Sequence, residues 1–161
     1  MKTALTPEQI ALYRQQGFVV IEDFLTPAEL ETWRQAVDEA VEKRGDSKLA
    51  NREGWKAGES FYDRVFTQRI NLWMDHPTMR RLMLDPALGK LAADLEGVDG
   101  IRIWHDQTLI KEPWANPTGW HLDNPYWSFS SHHSISIWVA LDDATYENGC
   151  LYFLPGTHKE A

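Results

Sequence analysis

Apolar positions in the first hundred residues recur three and four apart, the spacing of one helical face. Leu30, Trp33, Val37 and Val41 form one such stripe, and Leu88, Leu91, Ala92 and Leu95 form another. Two segments carry the same start signal. Thr6-Pro7-Glu8-Gln9 and Thr26-Pro27-Ala28-Glu29 each offer a Thr N-cap, a Pro at the first helical position and Gln or Glu at the third. The pattern predicts a first helix to about Gln16, stopped by Gly17, and a second to about Arg44, stopped by Gly45. Between them GFVVIEDF reads as a short strand. Residues 45–60 are polar and Gly-rich and read as a loop. Residues 71–96 read as helix in two pieces, broken by Pro77 and Pro86.

After Gly100 the period shortens to two. IRIWHDQTLIK, GWHLDN, SISIWVAL and CLYFL read as strands, with Asn148-Gly149 as a turn. From Ser134 to Leu141, Ile135, Ile137, Val139 and Leu141 share one face, which suits packing under helices. Ser134, Ser136, Trp138 and Ala140 share the other, whose small residues leave open space beside the Trp. In the strand from Ile101, the face with Ile103, His105, Gln107, Leu109 and Lys111 mixes apolar and polar groups, as the wall of a ligand cavity does. Helices followed by strands predict an α+β domain with helices laid on one side of a sheet. One domain spans 1–161, mainly helical over 1–100 and stranded over 101–161.

Composition narrows the partners. Sixteen Lys and Arg against 24 Asp and Glu give a net charge of -8, which disfavours nucleic acid and anionic membrane. The single cysteine, Cys150, cannot close an internal disulfide, and the N-terminus has no apolar leader region, so a cytoplasmic setting is expected. Eight Trp is a surplus that points to an aromatic cavity or a deep core.

The chemistry candidates centre on His121-Leu122-Asp123. In a strand, residues two apart point to the same side, so His121 and Asp123 could hold one metal ion with Leu122 turned away. An imidazole, a carboxylate and a second imidazole make the facial triad of non-haem Fe(II) oxygenases, which leaves coordination positions open. The spacing recurs at His158-Lys159-Glu160, so spacing alone does not select the first pair. Trp114, Trp120, Tyr126 and Trp127 surround His121 in sequence, either as a rim around a substrate or as loop residues stapled to the core. No Gly-rich phosphate loop, G-x-S-x-G or Cys-x-x-Cys is present.

Three stretches, WHDQTLIKEP, WHLDNPYW and SISIWVALDDATYENGCLYFLPGTHK, resemble the phytanoyl-CoA dioxygenase family of Fe(II)- and 2-oxoglutarate-dependent oxygenases. The opening LTPEQIALYRQQGFVVIEDFL is similar as well, so the resemblance covers nearly the whole chain. It implies a double-stranded β-helix, or cupin-like jelly-roll, core. It implies His121 and Asp123 as the first two iron ligands, with Gln107 and Trp138 beside 2-oxoglutarate. It implies hydroxylation in preference to halogenation, because Asp123 keeps the carboxylate that halogenating relatives lose. Leu122 stands where the family often has Gln.

One departure matters. The family's third ligand, a His, and the Arg that grips 2-oxoglutarate lie further downstream than Ala161, and His158 matches the Pro-Gly-Thr-His-Lys loop instead. The resemblance therefore implies the N-terminal portion of a longer protein, with the C-terminal strands missing and little turnover by these 161 residues alone. Sheet edges left open in this way would favour self-association. The expected partners are a small organic substrate and O2. The competing readings are a non-catalytic jelly-roll module that binds a ligand or partner, and a cupin-like protein with another metal.

Overall fold

In the computed structural model, which describes residues 1–50 and 65–160, both Thr-Pro starts open helices. Helix α1 spans Pro7–Gln16. Thr6 Oγ1 accepts from the Gln9 N–H at 3.2 Å while Gln9 Oε1 accepts from the Thr6 N–H at 2.9 Å, so two otherwise unpaired amides of the first turn are satisfied. Helix α2, Pro27–Arg44, begins with the same reciprocal bonds between Thr26 and Glu29. Its buried face is Trp33, Ala36, Val37 and Ala40, with Leu30 and Val41 on the flanks. The two alanines let the next helices approach closely. Leu72, Met79, Leu82 and Leu88 pack onto this face to make the core.

Pro77 and Pro86 begin helices rather than break one. Helix α3 spans Pro77–Met83 and α4 spans Pro86–Glu96. A proline at the first helical position lacks only an N–H that has no intrahelical partner anyway. The residue before each supplies the cap: His76 Nδ1 accepts from the Met79 N–H, and Asp85 Oδ1 from the Ala87 N–H. Leu88, Leu91, Ala92 and Leu95 are buried, as the stripe predicts.

Helix α1 buries none of its residues fully and packs on α4. The Tyr13 hydroxyl donates to the Glu96 carboxylate, and burial together with that acceptor pushes the phenol well above its ordinary range. The far end of the chain closes the other side of α1. Gly156 N–H donates to Gln16 O at 2.8 Å, and Phe153 stacks on Phe18 at 4.9 Å. Gly17 is required here twice over. Its φ is +88°, and a Cβ would sit 2.5 Å from the His158 ring.

The sheet differs from the sequence-based expectation. It has two strands among the described residues, β1 (Thr67–Ile70) and β2 (Gln107–Ile110), antiparallel with Gln68 opposite Leu109 and Ile70 opposite Gln107. Strand β1 is not foreseen, because TQRI has no apolar alternation. Only QTLI, toward the end of IRIWHDQTLIK, is a strand. GFVVIEDF, GWHLDN, SISIWVAL and CLYFL carry no strand, because a strand exists only where a second backbone pairs with it and none does among the described residues. Helices pack on one another instead of across a broad sheet. Even so, Val139 and Leu141 sit against the core, and Arg34 Nε donates to Leu141 O at 2.6 Å, so the end of the aliphatic face of SISIWVAL lies under the helices while Ile137 is exposed. Most of the loop expected at 45–60 lies outside the described residues; over 45–50, Leu49 makes one parallel bridge to Ile70. No helix among the described residues is long and apolar enough to cross a membrane.

Asp106 fixes the start of β2. Its carbonyl accepts from the Asn71 N–H at 2.9 Å, and Oδ1 accepts from the Trp73 N–H at 3.4 Å. The carboxylate is buried, and Oδ2 has no hydrogen-bond partner among the described residues. Burial raises its pKa, outweighing the Trp73 N–H and the Arg44 charge. A carboxyl whose pKa is raised by folding adds stability while it is protonated, and loses that contribution as pH rises through the raised value. Asp106→Asn, which keeps the Oδ1 acceptor and removes the buried charge, is expected to raise the unfolding midpoint at pH 7. It should also flatten the pH dependence of stability on the acid side of neutrality, as read by thermal melts across pH; a lower midpoint at pH 7 would contradict this.

Candidate metal centre

The residues following β2 run without regular structure to Gly119, and the turn that follows brings His121 and Asp123 together. Asp123 O accepts from the Tyr126 N–H at 2.9 Å and so opens a single 3₁₀ turn, Asn124–Tyr126. His121 Nδ1 lies 2.8 Å from Gly119 O. A carbonyl only accepts, so Nδ1 carries the proton and Nε2 of the neutral ring presents a bare lone pair. That Nε2 lies 3.3 Å from Asp123 Oδ1.

Two acceptors facing each other at this distance repel unless a cation or a proton lies between them. Donors held about 2.0–2.2 Å from one divalent ion, at a right angle, stand about 3 Å apart. The donor set, one imidazole and one carboxylate, is the mixed nitrogen and oxygen chemistry that first-row divalent ions take. The pair therefore fits a metal ion as two of its ligands. The side chains are 42% and 52% exposed, which leaves room for further ligands. Among the described residues no third His, Cys, Asp or Glu completes a cluster.

His105, one residue before buried Asp106, feels this site. Burial lowers its pKa, and the nearby Asp123 charge opposes that shift without overcoming it. The i, i+2 spacing of His121 and Asp123 is realised by a turn rather than by the expected strand.

Gln107 and Trp138 do not form a closed cavity. Gln107 is exposed on β2, with its Oε1 accepting from Gln68 Nε2 at 2.7 Å, and Trp138 is half exposed. Neither hydrogen-bonds His121 or Asp123. A concavity of ≈ 450 Å³ lies instead between α3 and α4, lined by Pro77, Arg80, Arg81, Leu84, Asp85 and Pro86.

The aromatic residues also regroup. Trp114 is fully exposed and Tyr126 largely so. Trp120 meets Tyr152 edge-on at 6.3 Å, and Tyr152 meets Tyr146 likewise. Trp127 stacks on Phe129 at 5.3 Å, and Phe129 meets Trp104 edge-on at 5.2 Å. Sequence reasoning missed Trp104, Phe129, Tyr146 and Tyr152. The one local signal was Phe129, two residues after Trp127.

Comparison with known proteins follows the same lines. The phytanoyl-CoA dioxygenase (PhyH) family pattern matches residues 13–161. A methylphosphonate hydroxylase of Gimesia maris is 27% identical over 99% of the chain and 59% of its own length. Dioxygenase lolE1 of Epichloe uncinata is 40% identical over 53% of the chain and 33% of its own length. Thus the chain spans less than two thirds of either relative. Among solved structures, the non-haem alpha-ketoglutarate-dependent carbocyclase SnoK from nogalamycin biosynthesis is similar with a TM-score of 0.55 and 32% identity, over 70% of this chain and 40% of that one.

The Gly119 contact makes a direct claim about one proton. In the neutral ring of His121 the ¹⁵N NMR signals are expected to place the proton on Nδ1, leaving Nε2 bare. A neutral ring protonated on Nε2 would remove the metal-facing lone pair and contradict the assignment.

Proposed function

Because the chain belongs to the phytanoyl-CoA dioxygenase family, whose pattern runs from residue 13 to 161, we propose that the protein is a non-haem Fe(II)- and 2-oxoglutarate-dependent dioxygenase that hydroxylates a small organic substrate. The observation that carries this reading is the 3.3 Å approach of His121 Nε2 to the Asp123 carboxylate, with Nδ1 turned to the Gly119 carbonyl. The hydroxylase and dioxygenase relatives and the alpha-ketoglutarate-dependent neighbour support the same chemistry.

His121 and Asp123 hold the iron in this reading, and the third ligand comes from outside the described residues. With 2-oxoglutarate and O2, the bound iron supplies the oxidising power for breaking a C–H bond. The chain's own groups supply placement. The Gly119 carbonyl fixes the His121 tautomer and ring plane, as supporting hydrogen bonds do at metal sites generally. The backbone of Asp123 is held by its own 3₁₀ turn. Gln107 and Trp138 orient 2-oxoglutarate once the site is covered. The complete fold is a jelly roll: the alternating faces of 101–111 and 134–141 fit paired strands, and the second already lies on the core through Val139 and Leu141.

Two protein ligands hold iron loosely, so weak binding and little succinate release are expected of the 161-residue chain. Anaerobic calorimetric titration with Fe(II) tests this. His121→Ala and Asp123→Ala should each weaken binding by more than the roughly tenfold to hundredfold that losing a supporting hydrogen bond costs. Unchanged Fe(II) affinity in both variants would overturn the reading, leaving a binding module without iron chemistry.

A further inference from the structure

The turn that carries Asp123 also carries one end of a set of packed rings. The Trp127 N–H donates to Asn124 O at 3.2 Å as the chain leaves the 3₁₀ turn. The Trp127 ring stacks on Phe129 with the planes 15° apart, and Phe129 meets Trp104 at 74°. Trp104 in turn meets the ring of its neighbour His105 edge-on at 6.3 Å. His105 stands close enough to Asp123 to feel its charge. The three rings therefore form a packed wall whose Trp127 end leaves the same 3₁₀ turn that Asp123 opens. Each ring is held by another, and both ends are tied to backbone that is itself fixed, by the 3₁₀ turn at one end and by buried Asp106 at the other. Trp104 remains 51% exposed and Phe129 40% exposed, so ring surface is left for a ligand.

The wall's charge is as informative as its shape. Neither 103–109 nor 119–129 contains a Lys or Arg. A small anion would find no cationic partner on these two segments, whereas a flat neutral ring would find aromatic faces at stacking and edge-on geometry.

We propose that the Trp104–Phe129–Trp127 wall is the substrate platform, and that the substrate it takes is a flat, uncharged ring compound. This rests on the oxygenase reading for the chemistry at the donor pair, and it names the substrate class for that site. The methylphosphonate hydroxylase relative then shares the fold and differs in substrate, as proteins do when specificity sits on loops.

Binding to the 161-residue chain tests the wall without turnover. The probes are 2-naphthol, cyclohexanol as an apolar ring that is not flat, and methylphosphonate as a small anion. Binding is measured by calorimetry and by the indole N–H NMR signals of Trp104 and Trp127. The expected result is that 2-naphthol moves both signals and binds about tenfold more tightly than cyclohexanol, and that methylphosphonate moves neither. Trp104→Leu and Trp127→Leu should each weaken 2-naphthol binding about fivefold to tenfold, with the helical circular dichroism and the Fe(II) affinity unchanged. Trp104→Leu lies at a half-exposed position, so it tests the wall even where the second variant disturbs the turn. Equal affinity for cyclohexanol, tighter binding of methylphosphonate, or full 2-naphthol affinity in both variants would overturn the proposal. His121→Ala separates the two ideas. It should abolish iron binding and leave 2-naphthol bound, so loss of the iron result alone sinks the oxygenase reading, and loss of the 2-naphthol result alone sinks the platform.

Discussion

One guanidinium joins the helical half of the molecule to the half that carries the site. The Arg44 side chain, at the end of α2, is only 4% exposed. Its NH1 donates to Ile70 O at 2.8 Å, NH2 to Asn71 O at 3.1 Å, and Nε to Asp75 Oδ2 at 2.8 Å. Those carbonyls end β1 and open the turn that follows, where Asn71 adopts a left-handed φ of 59°. Asn71 then donates to Asp106 O, and Asp106 sets the start of β2. A planar, permanently charged fork with several donors suits this task, and a lysine would satisfy fewer of these acceptors. His105 and Gln107 flank Asp106, so their positions follow from a contact made at the end of α2.

The donor pair depends on a different kind of constraint, one written into a few consecutive residues. A glycine carbonyl orients the imidazole, and a single 3₁₀ turn fixes the backbone of the residue that bears the carboxylate. The result is two electron-rich atoms that face each other and call for a positive charge between them. Placing such a pair on a turn at the surface leaves it accessible and lets the surrounding loops decide what reaches it. The regrouped aromatic residues belong to those loops. The Oδ2 of Asp106, by contrast, is a buried polar atom with no hydrogen-bond partner among the described residues, and its cost is borne by the rest of the fold.

What could be read in the sequence divides along the line between local and distant causes. The caps at Thr6 and Thr26, the stops at Gly17 and Gly45 and the stripe of α4 depend on neighbours within a turn or two, and each is where its pattern places it. Pro77 and Pro86 were legible as boundaries, but the capping by His76 and Asp85, which turns a break into a start, leaves no trace in the apolar spacing. Strands failed because alternation shows only which face a strand would bury. It does not show whether a partner backbone is present to pair with. SISIWVAL kept Val139 and Leu141 against the core and still formed no ladder. His121 and Asp123 were legible because two residues of spacing suffice to bring side chains together in more than one backbone conformation. The wall was not, because Trp104 and Phe129 are joined only by the fold.

The central claim is that His121 and Asp123 share one divalent cation. Titration with Co(II), followed by two-dimensional NMR of the ¹⁵N-labelled chain, tests it most directly, because paramagnetic broadening reports even a weakly held ion. The account predicts broadening that begins at His121 and Asp123 and spreads to Gly119 and His105. Broadening centred on His132, His133 or His158, with the turn at 121–123 unaffected, would contradict it.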